Sequence, residues 1–464
     1  MWTSAEIAAA TGGRASGCWS VSGVSIDSRT VLPSDLFVAL KGPNYDGHDF
    51  VARVLERGGA ALVHRLPERI GAARERLVVV DDTLAALTSL GRAARARSCA
   101  RIAAITGSVG KTGTKEALRL ALSGRGVAHA STASHNNHWG VPLSLAREPR
   151  DAAYAVYELG MNAPGEIEQL ARLVRPQVAL ITAIAPAHLG FFPSLEAIAE
   201  AKGEIFRGLE PGGITVLPAD SPHLARLRAL AEGAGAARVI AFGESEAAEA
   251  RLVDAKIWPD GSDVVMSLDG QRLAYRIGAP GRHWVINSLA IVASAFALGA
   301  DPALAAAALA GFEAPKGRGR RHILQRPGGP VTLIDESHNA NPASMRAALA
   351  LLENAPGRRI AALGDMLELG ERGPGLHAEL AEVIERLSID RVYTVGPLMR
   401  RLHDALPPAR RAEWRESAVE LSPVLERALQ RGDTLLVKGS LGSRMGAIVD
   451  ALLAERPIAA VQEG

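Results

Sequence analysis

Cysteine is nearly absent from this chain: only Cys18 and Cys99 occur in 464 residues. Two thiols cannot build a disulfide framework, so the fold must rest on packed cores, as suits a reducing cytoplasm. Aromatic residues are scarce at 4%, and the formal net charge is only +2. A chain with little stacking surface and no basic field is poorly suited to nucleic acid or to an anionic membrane. No stretch reaches the ~18 consecutive apolar residues of a membrane helix. Residues 289–312 come nearest, but they are mostly alanine and are cut by Gly299, Asp301 and Pro302, so they predict a helical hairpin in a core. The first ten residues carry Glu6 and no basic cluster, which predicts no secretory leader. Lysine is also short: there are 7, against 45 arginines. An excess of arginine, alanine and glycine is what a GC-rich coding bias produces, and under it each remaining lysine draws attention.

What is present is ordinary for a folded protein, with 48% hydrophobic and 22% charged residues. The length predicts about two to four domains, with three as the central expectation. In residues 1–98 short apolar strands at 36–40, 60–63 and 77–80 alternate with helical patterns, including 50–57 and 84–97. The end of the latter is Arg- and Ala-rich and reads as a linker. In residues 99–314 apolar strands are expected at 102–106, 155–159, 178–184, 214–217 and 239–242, with helices from Lys111, over 164–174 and over 195–208. Pro164 suits a first helical turn. Continuous apolar strands alternating with helices predict an α/β fold whose parallel sheet is covered on both faces. Residues 311–321 (GFEAPKGRGRR) read as a hinge. Residues 315–464 repeat the alternation, with strands at 331–334, 360–363, 391–395 and 434–437 and helices at 343–352, 376–387 and 444–454.

The chemistry begins at Thr106-Gly107-Ser108-Val109-Gly110-Lys111-Thr112, between a strand and a helix. Its glycines allow close backbone approach, and successive N–H groups at a helix start form an anion nest. Lys111 can reach phosphate oxygens and Thr112 can hold Mg²⁺. The first glycine of the usual motif is displaced, because Ile105 stands where it is expected. Glu158 ends an expected strand, where α/β sheets bind ligands, so it reads either as a Mg²⁺ ligand or as an ion-paired or capping carboxylate. His188 follows the next strand and reads either as a structural imidazole or as a ligand. Lys202 is either a surface lysine or, beside a metal site, a cation facing phosphate or a chemically altered amine. Asn136-Asn137 opens a polar loop, and Asn287 is either a ligand contact or a core amide. Farther on, Arg320 can face phosphate and Asp335, at a strand end, can bind ribose hydroxyls. Asn339, Asn341, Asp365 and residues 438–440 lie at the same expected rim. Near the N-terminus, Asp27-Ser28-Arg29 and Lys41 with Asp46-Gly47-His48 read as turns or as a nucleotide-sugar site.

Taken together, these segments resemble the Mur ligase family over nearly the whole chain. The matching stretches are DSRTVLPSDLFVALKGPNYDGHDF at 27–50, ITGSVGKTGTKE at 105–116, NNHWGVPLSL at 136–145 and ELGMNAPGEI at 158–167. They continue with APAHLGFFPSLEAIAEAKGEIF at 185–206, DESHNANPASM at 335–345, LGDMLELGE at 363–371 and LVKGS at 436–440. The NANP and LGDMLELG segments point to the branch that uses D-alanyl-D-alanine, and the DNPR-type motif of the enzymes that add the third amino acid is absent.

The resemblance implies a UDP-substrate domain at 1–98, a central P-loop ATPase domain at 99–314 and a C-terminal Rossmann-like acceptor domain at 315–464. It implies a cytoplasmic, monomeric ligase that couples UDP-muramoyl-tripeptide to D-alanyl-D-alanine with ATP and Mg²⁺, through an acyl phosphate. Gly107, Ser108, Val109, Gly110, Lys111, Thr112, Asn287, Arg320 and Asp335 would bind ATP. Thr112, Glu158 and His188 would serve the metal, and Lys202 matches the lysine that the family carbamylates. Ser28, Arg29, Lys41, Asp46, Gly47, His48, Asn137, Asn339 and Asn341 would contact the substrates. Gly113 departs from the commoner Ser or Thr, His338 from Tyr, and Leu441-Gly442 and Gly446 from the usual sequence after KGS. A sister amide ligase and a P-loop protein that hydrolyses ATP without ligation are the competing readings.

Overall fold

The computed structural model describes all residues except 1, 43–44, 67–70, 133, 187–191, 327, 354 and 455–464, and leaves the side chains of 71–73 and 125 undescribed. The chain divides into two compact units, one of Met1–Ile184 with Glu196–Phe312 and one of Ala185–Leu195 with Glu313–Gly464.

The first unit holds two large sheets. The smaller has five strands in the order Arg14–Ala15, Leu77–Val79, Ala60–Val63, Asp35–Val38, Gly23–Ser25, and all neighbours but the first pair are parallel. Its central strands are buried throughout, as expected for strands covered on both faces. The helix Thr83–Arg97 follows, started by Asp82, whose carboxylate accepts from the Leu84 and Ala85 N–H groups. The expectation of a linker at its end is overturned. Arg95 is buried and donates to the Val174 carbonyl at 2.6 Å, and Arg97 stacks over the Trp2 ring at 3.5 Å. Gly91 lets this helix approach Pro142, and Arg147 Nε donates to the Val24 carbonyl at 2.5 Å. Arginines that look solvated in sequence thus cover apolar surface and fill carbonyls between the two sheets.

The larger sheet has nine strands, in the order Gln271–Ile277, Gly261–Leu268, Ala250–Trp258, Arg238–Gly243, Ile214–Pro218, Val178–Ile181, Arg101–Thr106, Ala152–Glu158, Val127–Ala130. The chain passes from Arg101–Thr106 to one edge, returns beside it, then crosses to its other side, which makes its carboxyl end a topological switch point. The parallel pattern stops at Ala250–Trp258, where an antiparallel ribbon extends the sheet. This ribbon is not among the expected strands, because its alternating polar and apolar residues break the continuous apolar pattern. Asp260-Gly261 and Asp269-Gly270 lie at its two reversals, with Asp269 and Gly270 both at positive φ.

Local boundaries also shift. Strand 178–184 ends at Ile181, and the helix expected over 195–208 is Leu195–Gly203 followed by a 3₁₀ turn at Glu204–Gly208. Pro164 is not in a helix: Gly165 adopts φ 87° and the helix is Glu166–Val174. Residues 289–312 do fall on two helices: Arg282–Ala297, which starts earlier than expected and is largely buried, and Pro302–Ala308, which buries only Ala305 and Ala306 and leaves Leu304 exposed.

In the second unit six strands run in the order Arg320–Leu324, Val331–Glu336, Thr434–Lys438, Arg359–Gly364, Arg391–Val395, Arg411–Arg415. Only Arg320–Leu324 is antiparallel to its neighbour, so the expected hinge runs into an edge strand. The helix expected over 376–387 is two, Gly373–Ala378 and Leu380–Arg386. Helices such as Pro342–Glu353 and Ala418–Ala428 cover the sheet with leucine, isoleucine and valine on opposite faces. Among the described residues no helix is long and apolar enough to cross a membrane.

Candidate active site

The turn after Arg101–Thr106 is cramped. A Cβ at Gly107 would lie 1.9 Å from Thr182 Oγ1, and that hydroxyl donates to the Val109 carbonyl at 2.6 Å. Ser108 N–H donates to the Ala183 carbonyl at 2.8 Å. Gly110 caps the helix Lys111–Leu122 with φ 83°. The loop is therefore folded tightly onto the neighbouring strand end, with the first helical turn behind it. Its sequence, short of one glycine, still builds a helix-start anion site. Lys111 curls back and donates from Nζ to the Gly107 carbonyl at 2.7 Å.

Glu158 ends the adjacent strand, level with Ile105, and is 1% exposed. Its Oε2 accepts from the Thr112 hydroxyl at 2.7 Å, and its Oε1 accepts from the Asn136 amide at 2.8 Å. The Ser131 hydroxyl accepts from the Glu158 N–H at 3.3 Å. The structure thus joins Lys111, Thr112 and Glu158, and adds Asn136, which the sequence reading quoted in a loop without giving it a partner. Among the described residues no three His, Cys, Asp or Glu side chains form a metal cluster. One carboxylate and one hydroxyl beside a phosphate nest nonetheless fit Mg²⁺, which takes few protein ligands and completes its shell with phosphate and water.

Lys202 lies on Leu195–Gly203 and is buried, at 2% exposure. Burial, and then the charge of Lys111, push its amine well below the ordinary lysine range. No surface lysine behaves this way, so the surface reading of Lys202 is corrected. Lys115 and Lys438 are also fully buried, but both are satisfied: Lys115 donates to the Ser131 carbonyl, and Lys438 pairs with Glu336 at 3.2 Å and donates to the Asn339 carbonyl at 2.8 Å. His188 lies outside the described residues.

Asn287 is half-buried on Arg282–Ala297, where its Nδ2 would lie 3.1 Å from a Cβ at Gly110. Asn137 acts as a local cap, its Oδ1 accepting from the Trp139 and Gly140 N–H groups at 3.2 and 3.0 Å. Only its amide nitrogen remains to meet a ligand.

In the N-terminal sheet, Arg29 is exposed and forks onto Asp27, beside Ser28. Lys41, exposed, pairs with Asp46 in an isolated bridge that closes the second loop. Gly47 packs on Leu40, where a Cβ would meet the carbonyl at 2.8 Å. Despite the cost of burial, hydrogen bonds from His48 and Arg65 hold the Asp46 carboxyl low. His48 Nε2 accepts from the His64 N–H at 3.1 Å, so the ring proton sits on Nδ1 and faces Asp46 at 2.7 Å. Burial lowers the His48 pKa and keeps that neutral form.

The second unit carries the remaining residues. Arg320 and Asp335 are direct cross-strand partners. Arg320 is exposed and pairs with Glu313 at 3.0 Å. Asp335 is fully buried, with Oδ2 accepting from Gly317 N–H at 2.7 Å and Oδ1 from the Ser337 hydroxyl at 2.6 Å. Asn341 Oδ1 accepts from Ser344 N–H at 2.8 Å at the start of Pro342–Glu353. Asp365 is buried, which raises its pKa, and accepts from Met399 N–H at 2.7 Å.

Family descriptions match three stretches: "Mur ligase family, catalytic domain" at 20–95, "Mur ligase middle domain" at 105–295 and "Mur ligase, glutamate ligase domain" at 319–441. UDP-N-acetylmuramoyl-tripeptide–D-alanyl-D-alanine ligase of Rickettsia prowazekii is 32% identical, covering 97% of this chain and 99% of that protein. The Escherichia coli protein of the same name is 34% identical, covering 92% and 93%. Among solved structures, MurF from Acinetobacter baumannii superposes with a TM-score of 0.84 at 30% identity, over 98% of this chain and 99% of that one. The Thermotoga maritima MurF ligase in complex with ADP gives 0.76 at 26% identity, over 93% and 96%.

Proposed function

The chain belongs to the Mur ligase family, and we propose that it is an ATP-dependent, ADP-forming amide ligase that joins D-alanyl-D-alanine to UDP-N-acetylmuramoyl-tripeptide during peptidoglycan precursor synthesis. The observation that carries the chemistry is the buried Glu158, hydrogen-bonded to Thr112 at the mouth of the phosphate loop. The substrate assignment is supported by near-complete coverage of relatives bearing that name.

A carboxylate is a poor electrophile, so activation precedes coupling. The terminal carboxylate oxygen of the tripeptide attacks the γ-phosphorus, the bond to the ADP oxygen breaks, and an acyl phosphate forms. The amine nitrogen of D-alanyl-D-alanine then attacks the acyl carbon, the nitrogen loses a proton and phosphate departs. Backbone N–H groups of Val109, Gly110 and Lys111 cradle the phosphates, Gly107 allows their close approach, Ser108, whose N–H is held by the Ala183 carbonyl, turns its side chain to them, and Lys111 leaves the Gly107 carbonyl to pair with them. Thr112, Glu158 and His188 would hold Mg²⁺, which when bound neutralises phosphate charge and polarises the transferring phosphoryl group.

The Lys202 amine, driven toward its neutral form, is nucleophilic enough to add to CO₂, forming an N–C bond and releasing a proton. The resulting carbamate replaces a repelled cation with an anion. Asn287, Arg320 and Asp335 contact the nucleotide in this reading. Ser28, Arg29, Lys41, Asp46, Gly47, His48 and the Asn137 amide take the UDP substrate, and Asn339 and Asn341 the acceptor. Domains at 1–98, 99–314 and 315–464 divide these tasks. In this reading the enzyme works as a cytoplasmic monomer.

The test is product formation by mass spectrometry with ADP release followed in parallel. UDP-muramoyl-pentapeptide that appears only with D-alanyl-D-alanine, with matching ADP, is the expected result. Coupling to a different amino acid would move the assignment to a sister ligase, and ATP turnover indifferent to every acceptor would overturn ligation.

A further inference from the structure

The helix Lys111–Leu122, which carries the phosphate loop, has a glycine inside its first turn. Glycine there costs ~1 kcal/mol relative to alanine, so its presence calls for a packing reason. The reason is Trp284. A Cβ on Gly113 would lie 2.3 Å from Trp284 Cη2 and 3.1 and 3.3 Å from Cζ3 and Cζ2. The indole fills the place where any other side chain would begin.

The spacing extends the contact. Gly110 and Gly113 are three apart at the start of one helix, and Trp284 and Asn287 are three apart on the facing helix Arg282–Ala297. Residues three apart lie on one face. The pairs meet in register, Trp284 against Gly113 and Asn287 against Gly110, where a Cβ would lie 3.1 Å from the amide nitrogen. Trp284 is 4% exposed and also meets the Phe312 ring edge-on, with centroids 4.8 Å apart. The indole thus packs on both Gly113 and Phe312.

We propose that Trp284 is a positioning residue for nucleotide binding: seated in the notch at Gly113, it sets the crossing of the two helices and so holds the Asn287 amide over Gly110 of the phosphate loop. Gly113 and Trp284 form a matched pair. The inference rests on the reading that residues 107–112 bind ATP.

The experiment measures binding of Mg-ADP by calorimetry and the KM values for ATP and for D-alanyl-D-alanine. Trp284→Leu should weaken ADP binding and raise the ATP KM by about tenfold, the size of one displaced hydrogen bond. The dipeptide KM should stay within about twofold, since only the nucleotide contact is displaced. Trp284→Phe, which keeps a flat ring, should recover most of the loss. Gly113→Ser should weaken ADP binding, and combining it with Trp284→Leu should restore part of it, because the shortened side chain vacates the notch.

Wild-type ADP affinity in Trp284→Leu, or a Gly113→Ser variant that binds normally, would overturn the proposal. So would equal losses for every substrate in step with a lowered melting temperature, which would make Trp284 a core residue only. Should Trp284→Leu fail to fold, Trp284→Phe and the double variant decide: graded recovery supports the pairing, and none overturns it. A wild-type protein that binds no ADP would instead bring down the nucleotide reading itself.

Discussion

At the phosphate-loop edge of the nine-stranded sheet, the partners of the buried Glu158 among the described residues are a hydroxyl and an amide, and the buried Lys202 faces the like charge of Lys111. At the strand ends of the six-stranded sheet, Asp335, Asn341 and Asp365 are equally buried, but the nearby backbone takes up their oxygens. Both edges are carboxyl ends of parallel strands, and in sequence their polar residues look alike. The first edge buries an amine beside a like charge, a state that a bound anion relieves. The other spends its polar groups on shaping turns and starting helices, which builds a rim rather than a reaction centre. Burial beside a like charge, rather than position at a strand end, is what sets the first edge apart.

This contrast breaks most sharply at its charged end. Lys202→Ala and Glu158→Gln should each lower kcat by roughly 10²–10³-fold, the scale of losing one preorganised electrostatic group. Lys202→Ala should lower the melting temperature little, since a buried amine beside a like charge is removed. If Lys202 works as a carbamate, short carboxylic acids should restore part of the Lys202→Ala activity. Rescue by amines alone would return Lys202 to a cationic role, and near-wild-type rates would erase the contrast.

The opposite outcome is expected at the second edge. Asn341→Ala removes a helix cap and should cost about 1 kcal/mol of stability, read by denaturant unfolding. Its loss of ATP turnover should be far smaller than that of Glu158→Gln. A large kinetic loss with unchanged stability would place Asn341 among the reacting groups instead.

The smallest effect belongs to a compensated charge remote from either edge. A hydrogen bond from the Thr3 N–H, and then the Arg150 guanidinium, hold the Glu6 carboxyl at about 2, down from 4.5. A lowered acid contributes stability that is complete above 4.5 and is lost as the pH falls toward about 2. Glu6→Gln should therefore flatten the acid limb of a stability profile slightly in that window. Superimposable acid limbs for the two proteins would show that the partly exposed pair is screened to nothing.

Much of this was legible before the structure. The strand–loop–helix at 101–122, the strand ending in Glu158 and the parallel strands of both large sheets follow from apolar runs and glycine placement. The ribbon at 250–277 was not, although two Asp-Gly pairs nine residues apart signal its hairpins, because a search for continuous apolar runs passes over alternating ones. The packed end of Thr83–Arg97 was missed for a similar reason: arginine reads as solvated until its guanidinium is seen filling carbonyls. Asn136 stood beside Asn137 with nothing local to tell them apart, and only the fold gives Glu158 to the first and a helix start to the second.

The sequence by itself determined the alternation of strands and helices, the strand–turn–helix around 107–112 and the family, since these depend on local spacing and on the order of motifs. Tertiary structure alone decided which buried amine lies beside a like charge, which asparagines are caps, and why position 113 must be glycine. Each of these turns on what lies opposite a side chain, and the tryptophan that fills the notch at Gly113 is 171 residues away along the chain.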